Sequence, residues 1–318
     1  MLKLYLLSAL SAFTLSLVLC LIFIPLLRKM KTGQNILVYV KEHKNKGGTP
    51  TMGGLAFILA TIITSALFIK EANRQVVLAV VIAFSYMLVG LWDDFLKCKH
   101  KENLGLKAWQ KFTFQAFIAV FAALFSFRAG LTNLYIPFFN KTLDIGFWII
   151  PLVVFAFLAT VNAVNLTDGL DGLAAGSCVP YFLFLGVIIL LENGMSSFIV
   201  LSFCLVGALL AYLLFNVSKA SVFMGDTGSL ALGGFATSIA VFSGNTLYIA
   251  VLGLPFVCSV LSVILQVVYF KCTKGKRIFL MSPIHHHFQQ KGYSECKISY
   301  AYSLVVFLLG TICVITII

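Results

Sequence analysis

Residues 91–97, LWDDFLK, place two adjacent carboxylates and a lysine at the end of a long apolar run. An ionisable side chain in a membrane span costs about 2.5–3.5 kcal/mol at mid-helix on insertion scales, so a pair of them requires a reason. On a helix Asp93 and Lys97 share a face at i,i+4, whereas Asp93 and Asp94 diverge by about 100°, which predicts different partners for the two aspartates. Three further carboxylates occupy turn-like contexts: Asp168 and Asp171 in NAVNLTDGLDGLAAG at 162–176, and Asp226 in VFMGDTGSLALGG at 222–234. One aspartate in such a context is ordinarily a helix cap or a turn residue. Five that gather at one side of a membrane predict a shared site.

Carboxylates gathered without thiolates or an HExxH helix suit a hard, oxygen-preferring cation. Magnesium fits best, held by one or two carboxylates together with substrate phosphates, and zinc is disfavoured. Asn162, Asn165, Asp168 and Asp171 recur every three residues, and Gly169 and Gly172 predict a tight polar turn between two spans. Asn216 precedes Asp226 by ten residues. Upstream, Lys41, Lys44 and Lys46 lead into GTPTMGG at 48–54, a glycine-rich helix start suited to an anion, though without the GK[ST] ending of a Walker A loop. The segment MSPIHHHFQQKGYSE at 281–295 contributes His285, His286 and His287. Neighbouring helical side chains point about 100° apart, so hydrogen bonding to phosphate or sugar is expected of these histidines, not joint ligation of one ion.

The elements that must position these groups are membrane helices. Hydrophobic residues make up 60% of the 318 and charged residues 11%, with a mean hydropathy of +1.01. That composition excludes a soluble domain. Apolar runs predict ten spans near 4–27, 51–69, 75–92, 110–127, 146–163, 171–191, 196–215, 228–243, 247–270 and 299–318. The expected fold is therefore all-α, polytopic and a single integral-membrane domain over 1–318. The first run is longer than a signal-peptide core and ends in basic residues, so it counts as a span. The outer loop 128–145 alternates Leu134, Ile136 and Phe138 and predicts a short hairpin.

The net charge of +12 reports topology here, with no call for nucleic acid. Of the 23 lysines and arginines, 18 fall in the alternating segments 28–50, 93–111, 216–229 and 271–298. The positive-inside rule then puts those segments in the cytoplasm and both termini outside, with Asp93, Asp94, Asp168, Asp171 and Asp226 at cytoplasmic helix ends and only Asp144 outside. The eight cysteines show no metal or redox spacing and are expected as free thiols.

These motifs, in this order, resemble the phospho-N-acetylmuramoyl-pentapeptide transferases, within the wider polyprenyl-phosphate N-acetylhexosamine-1-phosphate transferase superfamily. The similarity runs through essentially the whole chain, on DDxxK, NxxNxxDGxDG, GDTG and SPIHHHF. Tyr293 departs from the pattern, which has tryptophan there. The resemblance implies transfer of phospho-MurNAc-pentapeptide from UDP-MurNAc-pentapeptide to undecaprenyl phosphate, giving lipid I and UMP at the cytoplasmic face of the bacterial inner membrane. It implies Mg2+ on Asp226, and Asp93 as either base or nucleophile, with Asp94 as a second catalytic candidate. It further implies Lys46, Lys97 and Lys111 as phosphate partners, Phe223 against uracil, and Asn165, Asp168, Asp171 and Asn216 around the nucleotide and metal. His285, His286 and His287 would face the sugar-phosphate region. A homodimer is compatible with it. The alternatives are a GlcNAc-1-phosphate transferase on the same lipid and, from another class, an ion-coupled transporter, whose carboxylates would sit near the bilayer midplane.

Overall fold

Hydrocarbon offers backbone N–H and C=O groups no partners, so the apolar runs fold as helices that satisfy those groups internally. The computed structural model describes residues 2–30, 48–71, 73–100, 105–139, 141–217 and 219–318. In chain order these form α1 (Leu2–Lys29), α2 (Gly54–Phe68), α3 (Arg74–His100), α4 (Ala108–Arg128), the strands β1 (Asn133–Ile136) and β2 (Lys141–Asp144), then α5 (Ile149–Thr167), α6 (Leu173–Leu191) and α7 (Ser196–Asn216). They continue as α8 (Gly225–Phe242), α9 (Tyr248–Leu252), α10 (Leu254–Cys272), α11 (Ile284–Gln290) and α12 (Glu295–Ile317).

Among the described residues, α1, α3, α4, α5, α6, α7, α10 and α12 are the eight helices long and apolar enough to cross a membrane. The remaining two expected spans are also helical. One is α2, of 15 residues, and the other is α8, whose first turn carries Asp226. The expected span at 247–270 is divided into α9 and α10 at Gly253, with Pro255 at the start of the second piece. The run expected to end at 92 continues as helix to His100, so Asp93 and Asp94 lie within α3 and not at its end. The short helix α11, led in by Pro283, was not signalled by hydropathy.

Helix α8 is the central post. Every residue of it is buried except Asp226, and Gly228, Gly233 and Gly234 let α2 at Gly54, α5 at Val161 and α3 at Ala83 approach closely. The tightest approach is at Gly90 of α3, where a Cβ would run into the Asp226 carbonyl and the Thr227 nitrogen. Around this post α6 and α7 are enclosed, while α1, α4, α10 and α12 turn apolar faces outward as a lipid-facing surface. Helix α1 lies on α7 through small residues, and Ser16 Oγ donates to the Ala208 carbonyl at 2.9 Å.

The two ends of the bundle differ. One gathers the C-terminal end of α3, the starts of α2, α4 and α8, the α5–α6 turn and α11. The other carries the predicted hairpin, registered Asn133 to Asp144 and Ile136 to Lys141 and tied to the end of α8 by Tyr135 N–H on the Gly244 carbonyl. All eight cysteines are free thiols.

Candidate active site

Two helices build the centre of the polar end. Because α3 remains helical past residue 92, Asp93 and Lys97 fall on one face, and Lys97 Nζ lies 2.6 Å from Asp93 Oδ2. The same ammonium reaches Asp226 Oδ2 on α8 at 2.8 Å. Lys111, in the first turn of α4, approaches that oxygen at 2.9 Å. The second Asp226 oxygen accepts from Asn165 Nδ2 of α5 at 2.6 Å, and this amide also donates to Ser229 Oγ at 2.8 Å. Asp226 therefore joins four helices.

Asp94 points elsewhere, as the 100° divergence predicts. Its Oδ2 accepts from the Thr227 N–H at 2.9 Å and hydroxyl at 2.7 Å, and its Oδ1 from the Asp226 N–H at 3.2 Å. These donors are at the start of α8, where backbone N–H groups lack helical partners and the dipole favours an anion. Asp94 is thus the cap that holds the Asp226 turn against α3. Asp93 Oδ1 accepts from the Leu106 N–H at 2.7 Å, which fixes the segment entering α4.

Oxygen atoms of Asp93, Asp94 and Asp226 lie within 4.8 Å of one another. Three carboxylates against two ammoniums leave an excess of negative charge, and the donor set is oxygen throughout, so the cluster fits a hard divalent cation. The remaining expected residues surround it unevenly. Asp168, at the end of α5, is half-buried, and its carboxyl is held well above the usual carboxylate range by burial first and then by Asp226, Asp94 and Asp171.

Asp171 and Asn216 stitch loops together. Asp171 Oδ2 accepts from Ala220 N–H at 3.0 Å, while Asn216 accepts from Gly172 N–H at 3.1 Å and donates to the Val222 carbonyl at 2.9 Å. They connect the DG turn to the segment that presents Asp226. Phe223 pairs through its backbone with the α2 entry: its N–H donates to Pro50 and its carbonyl accepts from Gly53, and its ring is half-buried. Gly54 N–H likewise donates to Met224. Two N–H groups of the glycine-rich helix start, those of Gly53 and Gly54, are thus engaged within the protein. Lys46, Lys41 and Lys44 lie outside the described residues.

His285 and His286 project from α11 over the DG turn, while His287 accepts from the Leu280 N–H at 3.1 Å beside the Phe279 ring. A Cβ at Gly169 would stand 2.6 Å from His285 Nε2 and 3.1 Å from His286 Nε2, so these ring edges take the room that glycine leaves beside Asp168. His285 is fully buried, and no described residue hydrogen-bonds either ring nitrogen. Burial, and then His286, hold it down at about 3, which keeps the ring neutral. Sequence reasoning missed Thr227, Ser229, Gln115 (which accepts from Asn162 at 2.8 Å) and Glu295. The first two sit in the GDTGS stretch and carried a signal; Gln115 and Glu295 carried none, because their partners are distant in sequence.

Residues 75–244, from α3 to the end of α8, match the family model described as glycosyl transferase family 4. That range contains Asp93, Asp94, Asp168, Asp171 and Asp226 and excludes His285, His286 and His287. Proteins named phospho-N-acetylmuramoyl-pentapeptide-transferase are similar over nearly the whole chain. The protein of Clostridium botulinum strain Eklund 17B is 42% identical over 95% of this chain and 93% of its own length. That of Clostridium perfringens strain 13 is 45% identical over 89% of each. That of Caldanaerobacter subterraneus is 43% identical over 94% of each. The carboxylate centre, the histidine helix and similarity at this level over both have one consequence: the chain belongs to the phospho-N-acetylmuramoyl-pentapeptide-transferase family.

Proposed function

We propose that this membrane protein transfers phospho-MurNAc-pentapeptide from UDP-MurNAc-pentapeptide to undecaprenyl phosphate, releasing UMP and forming lipid I for peptidoglycan synthesis. The observation that carries the reading is the convergence of Asp93, Asp226, Lys97 and Lys111 from three helices at one end of the bundle. A lipid phosphate and a sugar diphosphate are both anions, so the site must neutralise charge and hold two phosphates in line. The lysines supply part of that charge. Asp226, joined by Asp93, would hold magnesium, which when bound neutralises charge on the diphosphate. Asp94, with both oxygens on α8, supports the site without joining the ion.

In the reaction a lipid phosphate oxygen bonds to the sugar-side phosphorus as the bond from that phosphorus to the UMP oxygen breaks. A phosphate monoester is largely ionised near neutrality, its second pKa being about 6, so the attacking oxygen needs little help from a base. Asp93 is held by Lys97 on one oxygen and by the Leu106 N–H on the other, which favours positioning of the lipid phosphate over nucleophilic attack by the carboxylate. Lys97 and Lys111 contact the phosphates, Asp168 and Asn165 line the nucleotide and metal side, and the Phe223 ring stacks on uracil. His286 and His287 face the sugar-phosphate, whereas His285, expected beside them, is fully buried.

The positive-inside count supports a cytoplasmic site in the bacterial inner membrane with both termini outside. The histidine motif and the names of the relatives disfavour UDP-GlcNAc as donor, and carboxylates at helix ends disfavour an ion-coupled transporter. The test is UMP release by purified protein given UDP-MurNAc-pentapeptide, undecaprenyl phosphate and Mg2+. Omitting the lipid or the metal should abolish it, UDP-GlcNAc should not substitute, and Asp226→Asn should be inactive yet folded. Acid-quench trapping of a phospho-sugar on the protein would overturn direct attack.

A further inference from the structure

One helical turn deeper than the carboxylate centre, a second polar contact joins the same helices. Gln115 follows Lys111 by one turn of α4 and Asn162 precedes Asn165 by one turn of α5, so they form a rung below the Lys111–Asn165 pair, whose polar atoms are 3.5 Å apart. Asn162 Nδ2 donates to Gln115 Oε1 at 2.8 Å and to the Leu158 carbonyl, also at 2.8 Å. A carbonyl only accepts, so Leu158 fixes which end of the Asn162 amide faces α4, and Asn162 in turn fixes the Gln115 amide with its oxygen toward α5. From α3 the Tyr86 hydroxyl donates to the Gln115 main-chain carbonyl at 3.1 Å. Gln115 thus joins the three helices that carry Asp93 and Lys97, Lys111, and Asn165.

The rung is a poor device for stability. Gln115 is 1% exposed, and no described residue hydrogen-bonds its Nε2. A buried NH2 left unmet is destabilising, so an apolar side chain of the same size would hold the helices together better. What the amide adds is direction, because apolar contact between two helices leaves their register loose and a hydrogen bond specifies it. The group that depends on this register is Lys111, whose ammonium must cross from α4 to meet Asp226 Oδ2 at 2.9 Å.

We infer that Gln115 and Asn162 are positioning residues whose hydrogen bond sets α4 against α5 and so holds the Lys111 ammonium at Asp226, where a phosphate of the sugar nucleotide would meet it. The inference deepens the proposed phosphoglycosyl transfer and rests on it for the ligand, but not for the placement of Lys111.

Gln115→Met and Asn162→Leu each remove one partner at nearly constant size, and the double variant removes both. Each single variant leaves the other amide short of a partner and should melt below wild type, whereas the double variant should recover the melting temperature. All three should raise the KM for UDP-MurNAc-pentapeptide about tenfold, the loss of roughly one hydrogen bond, with kcat within about threefold of wild type. A purely structural role predicts a different pattern: loss of folded protein lowers kcat at constant KM, and turnover returns with the melting temperature in the double variant. Reductive methylation of lysine amines, read residue by residue by mass spectrometry, reports placement without turnover. Lys111 should react about threefold faster in each variant, as expected of a broken ion pair, while Lys97 on α3 is unchanged. Wild-type KM or wild-type Lys111 reactivity in the double variant overturns the inference. Absence of UMP release by the wild type would instead remove the enzymatic reading and leave the Lys111 reactivity to decide whether the rung places it.

Discussion

Asp93 and Asp94 are adjacent and chemically alike, and replacing each by asparagine should separate a group that serves the reaction from one that serves the fold. Asp94 is fully buried and takes three hydrogen bonds from the first turn of α8. Asparagine has the same shape but an NH2 in place of one oxygen. In one orientation that NH2 meets the Thr227 donors and in the other the Asp226 N–H, so a donor faces a donor either way. A hydrogen bond to a charged group contributes about 1.5–3 kcal/mol, and a negative charge at a helix N-terminus about 0.3–1 kcal/mol more, so the loss is about 2–4 kcal/mol. Asp226 rides on that turn, and a shift of about 1 Å at a reacting centre costs on the order of 100-fold in rate.

Asp94→Asn should therefore lower the apparent melting temperature in detergent by several degrees and reduce UMP release about 100-fold. Asp93→Asn should reduce turnover at least as far with the melting temperature unchanged or raised. It removes one of three mutually repelling carboxylates, keeps a carbonyl for the Leu106 N–H, and leaves Lys97 paired with Asp226. Thermal unfolding and UMP release on the same preparations decide the matter. An inactive Asp94→Asn protein with wild-type melting would make Asp94 a reacting group and refute the division of labour.

Gly90→Ala should be poorly tolerated, because the added methyl meets the Asp226 and Thr227 backbone; overpacking of this kind costs about 1–3 kcal/mol. Wild-type yield and turnover in that variant would show that α3 and α8 do not depend on this contact. His285 supplies a pH dependence: its folded value of about 3 lies below the unfolded value of about 6.5, so the unfolded chain gains a proton first. Stability is full above about pH 6.5 and falls as the pH drops toward 3, by about 2 kcal/mol at pH 5 from this group. Melting measured at pH 7 and pH 5 should show a smaller acid loss for His285→Phe than for wild type, and equal losses would exclude His285 as the cause.

Helix at each of the ten apolar runs and the hairpin were legible because hydropathy and alternation are local, though among the described residues only eight of these helices are long and apolar enough to cross a membrane; the Asp93 to Lys97 pairing, a property of one helix, was legible too. The helix boundaries at the site were not legible. Hydropathy falls at residue 93, where the lysines and aspartates begin, but the helix continues because Lys97 and Asp94 find partners on α8. The roles of Asp94, Asp171 and Asn216 as loop and helix fasteners depend on contacts 44 to 133 residues away in sequence, which no spacing rule reports. No spacing rule reports, for the same reason, that the Gly53 and Gly54 N–H groups of GTPTMGG are taken by Phe223 and Met224.

The ion pairs in the cluster bear on how substrate is admitted. Lys97 and Lys111 share one oxygen of Asp226, so each ammonium is held by carboxylates that a phosphate would have to replace. Exchange of carboxylate for phosphate keeps the number of charge pairs nearly constant, and the net gain on binding is a difference between two similar terms. Were Asp226 to hold a divalent cation, Lys97 and Lys111 would be left free to pair with the incoming diphosphate. The cluster's excess of carboxylates over ammoniums would then make phosphate binding conditional on such an ion, with Asp94, whose oxygens are taken by the first turn of α8, outside the exchange.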